Sequence, residues 1–157
     1  MITLEGNLLD TPFQFIAHQV NCKGVMGAGL ALQIRNKYPE VYNDYKTFCD
    51  ICVTKSPLGK SLCVWTKDNR CIINVFGQFG YGRGQQQTDY NALYSGFAMA
   101  AEEIRNTFLD GNPCYQIPIA IPYGIGCGLA GGNWEKVEEI LKLIEKNHCV
   151  LFIACHL

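Results

Sequence analysis

The chain has 157 residues, of which 48% are hydrophobic and 17% are charged, and its formal net charge is −1. This length and composition predict one globular domain over residues 1–157, large enough to bury about two thirds of the surface of the unfolded chain. The near-zero charge gives no electrostatic attraction to nucleic-acid backbone or to an anionic membrane, so we expect neither as a partner. The sequence has no apolar run of membrane-spanning length and no secretory-type N-terminus, which predicts a cytoplasmic protein.

Nine cysteines are spread along the chain. Several of them, such as Cys63 and Cys71, lie within apolar strand-like runs, where a thiol packs as a small hydrophobic group. Cys49 and Cys52 form a CxxC pair, but a zinc site needs a second pair of cysteines or histidines at suitable spacing. We therefore predict free thiols, no bound metal and no cofactor.

The first half of the chain predicts strands at residues 1–4 and from residue 15, with a bend at Gly6 and Asn7 between them. Apolar residues then recur four apart at positions 30, 34 and 38, which indicates a helix. Pro39 ends that helix and suits the first turn of a second one.

In the second half, residues 62–66 and 71–76 predict two strands of a hairpin that turns at Asp68 and Asn69. Thr88 is the predicted N-cap of the longest helix, and Asn133 is the predicted N-cap of the last one. Alternating isoleucines predict a strand over residues 117–121, and residues 149–155 predict a final buried strand. This alternation predicts a three-layer α/β/α sandwich with a mixed, mostly parallel central sheet.

The run of residues 18–30, HQVNCKGVMGAGL, combines the end of a strand, a glycine-rich bend and the start of a helix. Glycines let the backbone approach an anion closely, and the first N–H groups of a helix point at it. A tight strand-to-helix turn without a ligand has the same pattern. Asn21 closes the strand, where its amide can hydrogen-bond a ribose hydroxyl.

A second run, IPYGIGCGL at residues 121–129, repeats the order of strand, glycine loop and helix. Two glycine loops at strand ends favour a diphosphate that is held between them by backbone groups.

Residues 77–87 form a polar, glycine-rich segment that contains Phe79, Tyr81 and Arg83. The segment is either a flexible surface loop or a lid that folds over a ligand, since long loops without secondary structure are often functional. An arginine there suits a phosphate group.

Three of these places, namely residues 5–8, 18–30 and 124–129, together resemble a macrodomain, the α/β module that binds ADP-ribose. The resemblance covers nearly the whole chain. Within that family the motifs are most similar to those of fungal ADP-ribose-1″-phosphate phosphatases and of glycohydrolases that remove ADP-ribose from protein acids or from DNA.

The resemblance implies that ADP-ribose or a derivative is the ligand. In most macrodomains an aspartate at the position of Asn7 contacts the adenine amino group, and asparagine stands there in the phosphatase-like members. The ligand-binding residues that the resemblance implies, together with two aromatic residues of the polar segment, are Gly6, Asn7, Leu8, Asn21, Gly24, Met26, Gly27, Ala28, Gly29, Leu30, Phe79, Tyr81, Pro122, Gly124, Ile125, Gly126, Cys127, Gly128 and Leu129.

The similar glycohydrolases use a lysine shortly after the strand at residues 72–75, and some use an aspartate directly after Gly-Cys-Gly-Leu. This chain has no lysine at the first place and has Ala130 at the second, which argues against those reactions. The phosphatase-like members keep a histidine where this chain has His18. We therefore predict His18 as general acid or nucleophile beside Asn21, with Asp89 as the carboxylate that orients it.

His18 precedes Asn21 by three residues, so the two would face opposite sides of a regular strand.

The predicted function is removal of the terminal phosphate from ADP-ribose-1″-phosphate. The alternatives are a non-catalytic module that captures ADP-ribose, a glycohydrolase without the lysine and, less favoured, a dinucleotide-dependent oxidoreductase. We expect a monomer whose ligand is free or attached to an ADP-ribosylated macromolecule.

Overall fold

A computed structural model of the protein describes residues 1–52, 56–108 and 115–156. Six strands form one sheet in the order β1-β6-β5-β2-β4-β3. The strands are β1 (Ile2–Glu5), β2 (Phe15–Gln19), β3 (Ser61–Trp65), β4 (Cys71–Val75), β5 (Ile117–Pro122) and β6 (Val150–His156). The α-helices are α1 (Gly29–Lys37), α2 (Pro39–Ile51), α3 (Tyr90–Phe108) and α4 (Trp134–Asn147), and a short 3-10 helix covers Leu8–Asp10.

The sheet is parallel except for β3, which pairs with β4 in antiparallel register at one edge. The predicted hairpin is therefore confirmed. Its turn places Asn69 at a φ of 62°, a left-handed conformation that asparagine tolerates better than most residues.

Helices cover both faces of the sheet. On one face, Phe15 and Ala17 of β2 pack in a core with residues of α3 and α4 such as Phe97 and Leu141. On the other face, Ile16 of β2 packs with residues of α1 and α2. The predicted sandwich of two helical layers around a mixed sheet is confirmed.

Two of the predicted helix starts are confirmed. Pro39 occupies the first turn of α2, and Asn133 caps α4 by accepting from the backbone N–H of Lys136. The predicted cap of α3 is wrong by one position. The carboxylate of Asp89 accepts from the N–H of Ala92 at 2.9 Å, whereas the Thr88 side chain turns inward and is 3% exposed.

The strand order determines where the loops meet. Strand β2 lies between β4 and β5, and all three run in the same direction. The loops that follow them therefore leave the sheet at the same side, at the carboxyl ends of the strands, where ligands bind in open α/β sheets. None of the described helices has the length and hydropathy needed to cross a membrane.

Candidate functional site

A cavity of about 590 Å³ lies at the carboxyl ends of β2, β4 and β5. It is lined by residues of both glycine loops, the first turn of α1 and the polar segment 77–87. The sequence-predicted residues that line it are His18, Asn21, Gly27, Ala28, Gly29, Leu30, Tyr81, Pro122, Gly124, Ile125, Gly126, Gly128 and Leu129.

The first glycine loop is shaped by the amide of Asn21. Its Oδ1 accepts from the backbone N–H of Lys23 at 2.9 Å, and its Nδ2 donates to the carbonyl oxygen of Val25 at 2.7 Å. Tyr45, fully buried in α2, places its hydroxyl 2.7 Å from the carbonyl oxygen of Asn21 and accepts from the N–H of Val25 at 3.1 Å. Asn21 thus holds the loop in shape, and its second Nδ2 hydrogen has no acceptor among the described residues.

Helix α1 begins directly at this loop. Its N-cap residue, Ala28, makes no side-chain cap hydrogen bond. The first N–H groups of a helix have no partner within the helix, and those of Gly29, Leu30 and Ala31 belong to residues that line the cavity. The helix start therefore presents hydrogen-bond donors and the positive end of the helix dipole to the cavity.

The second glycine loop forms the facing wall through successive turns. The N–H of Cys127 donates to the carbonyl of Gly124, and the N–H of Gly132 donates to the carbonyl of Gly126. Within the described residues, the N–H groups of Gly126, Gly128 and Leu129 donate to no protein acceptor, and all three residues line the cavity. This wall also offers backbone donors.

The two walls approach each other closely at Gly29 and Leu129. A methyl group built on Gly29 would lie 3.8 Å from Cδ1 of Leu129. Among the described residues that line the cavity, Arg83 has the only charged side chain. Backbone donors from both sides, one cation and no lining carboxylate together favour an anionic ligand.

His18 lies at the base of the cavity and is 2% exposed. Its Nε2 is 2.7 Å from Oδ1 of Asn74 on β4. The amide nitrogen of Asn74 donates to the carbonyl oxygen of Leu62 at 3.1 Å, which fixes Oδ1 on the side of His18. Nε2 must therefore carry the ring proton, and Nδ1 holds the lone pair.

Burial lowers the pKa of His18 from 6.5 to about 4, against a smaller opposing effect of the hydrogen bond to Asn74. The imidazole is consequently neutral at pH 7. A neutral ring in the free protein is set up as a base or nucleophile and not as an imidazolium proton donor, and the predicted catalytic role of His18 stays a prediction. The lone pair on Nδ1 can still accept a proton or attack an electrophile.

Asp89 is not the partner of His18. Its carboxylate caps α3, it is exposed, and it does not line the cavity. The group that orients the imidazole is Asn74, which sits directly opposite His18 in the register of β2 and β4. Sequence alone could not pair them, because the register of two strands 56 positions apart is set by tertiary packing.

Some predicted ligand-binding residues lie outside the cavity lining. Asn7 accepts from the N–H of Leu9 and so begins the short 3-10 helix, while Leu8 and Met26 are 1% exposed in the core. Phe79 lies under the ammonium group of Lys23, which is 4.0 Å from the ring centroid. The remaining members of this group are Gly6, Gly24 and Cys127.

The polar segment 77–87 is attached at both ends. At its start, the carbonyl of Phe79 accepts from the N–H of Cys22 at 3.0 Å. At its end, the N–H groups of Gln87 and Thr88 both donate to the carbonyl of Ala130. Tyr81, Gly82 and Arg83 between these attachments line the cavity, so the segment forms part of its wall, and the lid interpretation stays a prediction.

Sequence analysis missed two glutamines. Gln19 and Gln78 line the cavity and hydrogen-bond each other, with 2.8 Å between Nε2 of Gln19 and Oε1 of Gln78. The position of Gln19 two residues before Asn21, and so on the same side of β2, was the available signal. Within residues 1–52, 56–108 and 115–156, no three histidine, cysteine or acidic side chains are grouped so as to hold a metal ion.

Comparison with known proteins places this geometry in a family. The family model described as "Macro domain" matches residues 17–141. The chain belongs to the macrodomain family.

Relatives of this macrodomain include enzymes. It is 44% identical over 145 residues to the DNA ADP-ribosyl glycohydrolase of Mycobacterium tuberculosis, a match that covers 90% of this chain and 38% of the relative. It is 25% identical to the ADP-ribose 1″-phosphate phosphatase of Saccharomyces cerevisiae, with 88% and 89% of the two chains covered. The chain thus spans well under half of the mycobacterial relative.

A solved structure has the same fold. The macrodomain of Mycobacterium tuberculosis DarG superposes with a TM-score of 0.78 at 28% identity, covering 99% of this chain and 97% of that one.

The pKa of His18 makes stability depend on pH. Because the pKa of about 4 in the folded protein lies below the ordinary histidine pKa of 6.5, the unfolded chain binds the proton more readily. The contribution of His18 to the free energy of unfolding is therefore fully present above pH 6.5. It decreases by about 3 kcal/mol as the pH falls to about 4. Urea unfolding at pH 7 and pH 4 should show that the His18→Gln variant loses less stability than the wild type by this amount. His148→Gln is the matched control and should lose as much as wild type; an equal loss in His18→Gln would contradict the assignment.

Proposed function

We propose that this macrodomain binds ADP-ribose and removes the terminal phosphate from ADP-ribose-1″-phosphate. The observation that carries the binding proposal is the pair of facing walls, each with backbone N–H groups directed by a glycine loop or a helix start. A diphosphate between them would receive hydrogen bonds from both sides. The names of the two relatives support ADP-ribose chemistry in this family.

The chain's own residues favour phosphate release over glycosidic cleavage by a lysine. Gln78 lines the cavity just after β4, where the similar glycohydrolases have lysine, and Ala130 lines it where some have aspartate. Neither residue can form a covalent adduct with the ribose or activate water as a carboxylate does. The remaining group of suitable chemistry is the neutral imidazole of His18.

In the proposed reaction, Nδ1 of His18 accepts a proton from the water that attacks phosphorus. A bond forms between the water oxygen and phosphorus, the bond between phosphorus and the C1″ oxygen breaks, and the C1″ oxygen takes up the proton that Nδ1 received. The products are inorganic phosphate and ADP-ribose. Asn74 holds the ring in the required tautomer, and the free amide hydrogen of Asn21 positions the distal ribose.

Glycosidic cleavage is the second candidate, because the 44% identical relative is named for it. It would require water activated without a lysine. The same preparation can be offered ADP-ribosylated DNA, and release of free ADP-ribose in place of phosphate would select this alternative.

The setting is also part of the proposal. We infer a cytoplasmic monomer whose ligand is a free ADP-ribose derivative or an ADP-ribosylated macromolecule. The balanced charge and the many cysteines support this setting, since thiols stay reduced in the cytoplasm.

Binding is tested by isothermal titration with ADP-ribose. Gly27→Glu and Gly128→Glu should each weaken binding by about two orders of magnitude or more, because a carboxylate adds like charge and fills the space of the diphosphate. Both positions admit a side chain, since a methyl group there would meet only Val25 Cγ1 at 3.6 Å or nothing within 4 Å. Gly126 is less suitable, because a methyl group there would lie 2.7 Å from Oε1 of Gln19. Gly27→Ala is the control and should bind as wild type does. Wild-type affinity in both Glu variants would refute the two-walled diphosphate site.

Turnover is tested by phosphate release from ADP-ribose-1″-phosphate. His18→Ala should reduce kcat by about 100-fold or more while ADP-ribose affinity changes little. In wild type, the acid limb of kcat/KM should fall near pH 4, the pKa of buried His18, and not near 6.5. His148→Ala, in a histidine at the opposite end of the sheet, should retain full activity. Unchanged activity in His18→Ala would exclude the proposed role.

A further inference from the structure

The side chain of Gln19 joins the end of β2 to both ends of the polar segment. This residue ends β2, and its Nε2 is 2.8 Å from Oε1 of Gln78 and 2.9 Å from Oγ1 of Thr88. Gln78 begins the polar segment and Thr88 follows its end, and the two also form an isolated antiparallel bridge.

The hydroxyl of Thr88 extends these contacts to the second glycine loop. It donates to the carbonyl oxygen of Gly126 at 2.6 Å, so its lone pairs must accept from Gln19. The same carbonyl accepts from the N–H of Gly132 at 2.9 Å. One chain of hydrogen bonds therefore joins β2, the polar segment and the second loop.

The orientation of the Gln19 amide follows from its partners. Nε2 of Gln78 donates to the carbonyl of Gly80 at 2.8 Å, which fixes Oε1 of Gln78 as an acceptor facing Gln19. Turning the Gln19 amide over would place two acceptor oxygens against each other. Nε2 of Gln19 must point to Thr88 and Gln78, and Oε1 must point away from them.

Oε1 of Gln19 then has no hydrogen-bond partner among the described residues, although it is buried. It occupies space left by two glycines, because a methyl group on Gly77 or on Gly126 would lie 2.7 Å from it. A buried acceptor without a partner costs folding free energy, and each such group needs an explanation. The unpaired acceptor therefore offsets part of what the two hydrogen bonds of Nε2 contribute to stability.

We propose that Gln19 is a positioning residue, which through Thr88 holds the second glycine loop at the distance from the first that an anionic ligand requires. This inference rests on the proposed function for the identity of the ligand, but its structural part concerns the free protein. It assigns a role in ligand affinity to a residue whose amide leaves one buried acceptor without a partner among the described residues.

The first test needs no ligand. Hydrogen exchange in the free protein should be faster by about tenfold or more in Gln19→Met at the amides of Gln87, Thr88 and Gly132, whose bonds depend on this arrangement. The amide of Tyr123, bonded to the carbonyl of Cys155 outside the network, serves as the internal control. Methionine keeps the length of glutamine without its amide. Wild-type exchange rates at the three amides would overturn the proposal.

The second test compares stability with affinity. Gln19→Met removes the two hydrogen bonds of Nε2 together with the unpaired acceptor, so the midpoint of urea unfolding should change little, while the dissociation constant for ADP-ribose rises about tenfold or more. A purely structural role would lower both stability and affinity. That result, or unchanged affinity, would contradict the proposal.

Thr88 gives an independent check if Gln19→Met fails to fold. Thr88→Val removes the hydroxyl at constant shape and should reproduce the faster exchange and the weaker binding, whereas Thr88→Ser keeps the hydroxyl and should restore both. In the double variant Gln19→Met/Thr88→Val, the affinity loss should equal that of one single variant; a simple sum of the two losses would show that the residues act separately.

If wild type itself does not bind ADP-ribose, the proposed function fails, and the exchange rates still decide the role of Gln19.

Discussion

Parallel pairing of β2 with both β4 and β5 is the constraint on which the rest of the site depends. It places the carboxyl ends of three strands next to each other, so that the loops that follow these strands share one cavity. It also sets His18 opposite Asn74, which a shift of one residue would undo by turning each side chain to the other face. The buried isoleucines of β2 and β4 on both faces oppose such a shift, because it would carry polar groups into the core.

The cavity at these strand ends is lined largely by backbone groups. Glycines and a helix start supply the donors, while side chains such as those of Asn21 and Tyr45 hold the backbone in place from behind. Backbone amides carry no net charge and need little reorganisation when an anion arrives. A site of this kind can bind a diphosphate with one lining cation, Arg83, and its selectivity depends on how firmly the loops are held.

Much of this architecture could be predicted from the sequence. Periodicity, Pro39 and the turn at Asn69 predict the elements, and the two glycine runs predict the walls of the cavity. The cap of α3 was misplaced because Thr88 and Asp89 are both good capping residues, and only the packing of Thr88 against the second loop decides between them. The partner of His18 and the contacts of Gln19 depend on strand register and on residues far away in the chain, which a local pattern cannot reveal.

The most direct test of the two-walled site is an amide chemical-shift titration of the ¹⁵N-labelled protein with ADP-ribose. We expect the largest shifts in two separate parts of the chain that line the cavity from opposite sides, namely residues 27–31 and residues 124–126 with 128–129. Shifts confined to one of these parts, or concentrated at the shallow cleft between Lys37 and Lys67 on another part of the surface, would contradict the two-walled site.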